Sequence, residues 1–133
     1  MKILTALALL AIAVISAASL VSGAGYLDML LPGGLPMGNA VAALGLASAA
    51  GAPVLLSTPG STLRTASLVV FGAAVAWLPV SIALAGNLAL NFNGWRGSAW
   101  LAFSLVNHAA VLCALAWALI ERLLAMRRRA SAA

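Results

Sequence analysis

Charged side chains interrupt this chain at nine positions only, Lys2, Asp28, Arg64, Arg96, Glu121, Arg122, Arg127, Arg128 and Arg129. The uncharged intervals between them, 3–27, 29–63, 65–95 and 97–120, are rich in Ala, Leu and Val. Each can hold the roughly 20 apolar residues that a helix needs to cross about 30 Å of hydrocarbon. Turn residues trim them. Gly23-Ala24-Gly25 ends a first helix over 3–22. A loop with Asp28, Pro32, Gly33, Gly34 and Pro36 precedes a second over 37–56, which Ser57-Thr58-Pro59-Gly60 stops. A third covers 63–86, Asn87, Asn91, Asn93 and Gly94 form a polar turn, and a fourth runs over 98–124.

Composition sharpens this into a class. With 133 residues, 65% hydrophobic and 7% charged, and a mean hydropathy of +1.14, the chain falls far below the quarter or so of charged residues that covers a water-soluble domain. An all-α integral membrane protein with four transmembrane helices is therefore expected, the bilayer being its first partner. A nucleic-acid module, a disulfide-stapled miniprotein (Cys113 is the one cysteine) and a disordered polymer are excluded.

Charge asymmetry sets the orientation. With the amino terminus inside, Lys2, Arg64, Arg122 and Arg127 to Arg129 are cytoplasmic and Arg96 alone lies outside, which predicts an N-in/C-in bundle over 1–126 with a short basic tail, 127–133. Such imbalance argues against dual topology. A cleaved leader ending near Ser22-Gly23-Ala24 is the competing parse, but the apolar run 3–21 exceeds the usual ~7–15-residue signal core. Six arginines to one lysine and abundant alanine point to a bacterial inner membrane.

Small residues should mark helix seams, because lipid gives helices no hydrophobic reason to associate. Gly38, Ala42, Gly45 and Ala49 fall on one face of the second span, as internal packing or as a face for another subunit. Pro53 and Pro79 remove backbone donors and bend their helices. Tyr26, Trp95 and Trp100 are placed at the outer interface as an aromatic belt, and the greasy loop around Tyr26 to Leu31 along it as a short turn or helix. No internal repeat is evident.

Chemistry is sparse. His108 is the only ionisable group deep in a span, and Trp100, Ser104, Asn107 and His108 form a polar face on the fourth helix that must point into the protein or at a partner. The face admits three roles: interhelical hydrogen bonds, a subunit interface, or a ligand role as an axial haem ligand, a quinone contact or a proton relay. No catalytic residue is assigned. Asp28 and Glu121 fall on opposite sides of the bilayer, Ser104 and His108 lack an orienting acid, and Cys113 is expected to be a small buried hydrophobe. No metal site, P-loop or dinucleotide fingerprint is present, and no span carries the carboxylate of a charge-coupled transporter. Glu121, at a helix C-terminus, is expected to take a basic partner from Arg122, Lys2 or Arg64.

Many packing devices and no self-sufficient active site point to a non-catalytic accessory or assembly subunit of a larger membrane complex, partnered by other membrane subunits or by copies of itself. A homo-oligomeric channel or small transporter lined by Ser104, Asn107 and His108 is the first alternative. A haem- or quinone-contacting subunit of a respiratory or photosynthetic complex is the second.

Overall fold

The computed structural model describes residues 1–84 and 94–131. Its elements are α1 (Lys2–Ser22), a 3-10 turn (Gly25–Asp28), α2 (Met37–Leu56), α3 (Thr62–Ala83) and α4 (Gly94–Ala130). All four α-helices are long and apolar enough to cross a membrane. The expected boundaries of the first two match to within one residue. Of the polar turn before α4, Asn87, Asn91 and Asn93 lie outside the described residues, as does the end of the expected third span.

Local chemistry explains where the helices stop. Gly23 takes a left-handed conformation, φ 61°, and closes α1 by donating its N–H to the Leu20 carbonyl. Gly33 and Gly34, both at positive φ, turn the loop so that Leu30 and Pro36 form an isolated bridge just before α2. The Ser61 hydroxyl caps α3 by accepting from the Arg64 N–H at 3.1 Å. α4 differs most from the sequence reading, starting at Gly94 and continuing through Arg127 to Arg129. Glu121-Arg122-Leu123-Leu124-Ala125-Met126 are all good helix formers, so nothing breaks the helix where the apolar run ends.

The helices alternate in direction. α2 is the hub, packing against α1, α3 and α4, and α3 packs against α4. Leu46, Ala50, Ala74, Trp77, Trp100 and Val111 make the core of this three-helix unit. α1 leans on α2, and its buried residues are only Ala6 and Ser16. The α1–α2 approach is close because Gly45 offers no side chain: a Cβ there would stand 2.7 Å from Ser16 Cβ. Gly38 is buried too, and Ala42 and Ala49 pack partly buried against the core. The small-residue face of α2 is thus spent largely inside the molecule.

Arginines finish the helix ends. Arg64 donates to the Val54 carbonyl at 2.9 Å and Arg122 to the Leu56 carbonyl at 2.8 Å, so α3 and α4 both cap the C-terminus of α2. Arg96 donates to the Ala83 carbonyl at the end of α3. Each cation meets the negative end of a helix dipole, among the last-turn carbonyls for which a helix has no further backbone donors.

Candidate functional site: the α3–α4 polar cluster and the groove beside His108

Tryptophan and serine recur four residues apart on α3, as Trp77 and Ser81, and on α4, as Trp100 and Ser104. Since the two helices run antiparallel, each tryptophan faces the other helix's serine. Trp77 Nε1 donates to Ser104 Oγ at 2.9 Å, and Trp100 Nε1 donates to Ser81 Oγ at 2.9 Å. The rings lie 6.5 Å apart at 49°. One turn further along α4, Asn107 Nδ2 donates to the Ala73 carbonyl at 2.9 Å. These groups are all buried, so each indole N–H and hydroxyl that would be costly to leave alone in an apolar setting has a partner. Ser67 Oγ and Asn107 Oδ1 are the exceptions among the described residues.

The structure therefore divides the predicted polar face of α4. Trp100, Ser104 and Asn107 lie on the buried seam, which continues through Val111, Ala114 and Ala118 at alternating steps of three and four. Trp100 belongs to this cluster and not to an aromatic belt at the surface. His108 sits about 80° around the helix from the seam's centre line and is exposed. Its ring stands edge-on to Trp77, centroids 6.4 Å apart at 88°. Its Nδ1 lies 2.7 Å from the Ser104 backbone carbonyl. A carbonyl oxygen only accepts, so Nδ1 carries the hydrogen of this contact, and in that tautomer the lone pair is on Nε2.

His108 and Ser104 are therefore no nucleophile–base pair: the hydroxyl accepts from Trp77, and the imidazole is held by the main chain. Glu121 accepts from Trp117 Nε1 at 2.9 Å, while Arg64 and Arg122, two of its three expected partners, turn to the carbonyls of α2. Two helix-end carbonyls outcompete one part-exposed carboxylate for these arginines. Cys113 is exposed, contrary to expectation, because it falls two residues past Val111 on the opposite face of α4. The described residues contain no group of three His, Cys, Asp or Glu side chains able to hold a metal ion.

Two apolar grooves flank α1 where it rides on α2. One, of about 390 Å³, lies towards α3, between Leu9, Gly51, Leu68 and Phe71. The other, of about 270 Å³, lies towards α4; Ala13, Ser16, Ala17, Leu46 and Leu112 line it with His108. Sequence reasoning found His108 but not these grooves, which exist because α1 packs on α2 without closing against α4. The reciprocal Trp-x-x-x-Ser spacing was the available signal for the α3–α4 pairing. No protein-family model, curated protein or solved structure matches this chain.

Proposed function

We propose that this chain is a multi-pass protein of a bacterial inner membrane, with both termini in the cytoplasm, serving as a non-catalytic accessory or assembly subunit of a larger membrane complex. The observation that carries the reading is the length of α4, 37 residues against 20 to 22 for the other three helices. Arg122 fastens α4 to the end of α2, and the eight residues beyond extend about 12 Å further at 1.5 Å per residue. Leu123, Leu124 and Met126 are exposed on this extension, followed by Arg127 to Arg129. A protruding helix with apolar and basic side chains is suited to gripping an unlike subunit at the cytoplasmic face. The arginines also favour that face through anionic lipid heads, at about 1 kcal/mol each.

The channel alternative is weakened by the burial of Ser104 and Asn107 in the α3–α4 seam, where the Ser104 hydroxyl and Asn107 Nδ2 bond to Trp77 and to the Ala73 carbonyl. The test is affinity purification in mild detergent with mass spectrometry of co-purifying chains, beside a variant with Leu123, Leu124 and Met126 each changed to serine. Unlike membrane subunits should accompany the unaltered chain and be lost from the variant. A chain that purifies only with copies of itself, or a variant that keeps every partner, overturns the reading.

A further inference from the structure

His108 lies level with the middle of α3, since its neighbour Asn107 reaches the Ala73 carbonyl. With the helices in a bilayer, that is the depth at which ordinary lipids supply only hydrocarbon. An acceptor left unpaired there costs several kcal/mol. The Ser104 carbonyl occupies Nδ1, so the free Nε2 lone pair requires a donor from outside the chain. The histidine stands on the wall of an apolar groove of about 270 Å³ that Ser16 also lines. Such a groove has room for one substituted ring and the start of its tail.

We propose that the groove between α1 and α4 binds a membrane-soluble ring compound of the quinol class, its ring hydroxyl donating to His108 Nε2. The apolar lining takes the ring and tail, and a single polar contact orients the head, as is usual for sites of this kind. The tautomer gives the site a direction. A quinol O–H donates to Nε2, whereas a quinone carbonyl cannot, so the reduced form binds more tightly. The inference rests on the membrane placement proposed above and is independent of any partner subunit.

His108 is the only histidine, so full-length chain labelled with 15N-histidine and placed in phosphatidylcholine nanodiscs gives one pair of ring signals. The free chain should show the Nδ1-H tautomer. A decyl-benzoquinol kept reduced should shift the Nε2 signal saturably, and the matching quinone should bind about tenfold more weakly, the worth of one hydrogen bond. Ala17 is exposed and lines the groove; Ala17→Trp fills it without disturbing the α1–α2 seam and should abolish saturation. The site is overturned by equal binding of quinol and quinone, by a shift that never saturates, by a hydrogen on Nε2 in the free chain, or by a Soret band showing iron at His108. A chain that stays folded in buffer without lipid overturns both this site and the membrane placement.

Discussion

Trp77 and Ser104 carry the polar cluster, and their energetics follow from where they sit. The indole N–H donates to the hydroxyl at 2.9 Å, both groups being buried. Hydrogen bonds between helices in a bilayer are worth about 0.6 kcal/mol on average and at most about 1.7, because the separated helices find other partners. A double-mutant cycle of Trp77→Phe and Ser104→Ala, read by unfolding in bicelles, should give a coupling energy in that range. A coupling indistinguishable from zero would mean that packing alone holds α3 to α4. At this scale half the site was legible in the sequence: Trp100, Ser104, Asn107 and His108 were recognised as one polar stripe. The split within it was not, because which edge of a stripe is buried depends on the antiparallel register with Trp77 and Ser81. That register is set by two side chains on another helix, and reading α4 alone cannot supply it.

Among the elements, α2 has the greatest demand for close packing, being enclosed by the three other helices. Gly45 and Gly72 separate packing from propensity. A Cβ at Gly45 would stand 2.7 Å from Ser16 Cβ, whereas one at Gly72 would meet nothing within 4 Å. Gly45→Ala should therefore force α1 away from α2 and cost about 1–3 kcal/mol, as overpacking does. Gly72→Ala should be neutral or stabilising by up to about 1 kcal/mol, since alanine is the better helix former. Equal destabilisation by the two in the same unfolding assay would show that the α1–α2 approach does not depend on the missing side chain. The helices themselves were readable because charges and turn residues bracket apolar runs of suitable length. The ends of α4 were less so: Arg127 to Arg129 signal topology by charge, yet arginine is also a good helix former, and charge conceals that the helix continues.

At the scale of the whole molecule the two sides of α2 are held differently. α3 and α4 are cross-linked by two Trp–Ser bonds and the Asn107 amide, and Arg64 and Arg122 fasten both to the end of α2. α1 shares no side-chain hydrogen bond with another helix among the described residues, and its exposed Ile3, Leu4, Leu7, Val14 and Ile15 touch no core. Van der Waals contact with α2 holds it, through Ser16 at Gly45, Leu9 at Gly51 and the buried Ala6. Small residues permit such a contact without locking it, and α1 buries only two residues where each other helix buries at least five, which puts it at the low-stability end of the fold. Spin labels on the exposed Val14, Val69 and Leu105, introduced pairwise as cysteines after Cys113→Ala, should report this in double electron–electron resonance. The distance distribution from α1 to α4 is expected to be broader than that from α3 to α4, and to narrow when the groove beside His108 is filled. Equally narrow distributions for the empty protein would mean that α1 is fixed as firmly as the rest, and the groove would then be a rigid feature of the bundle with no freedom for a ligand to remove.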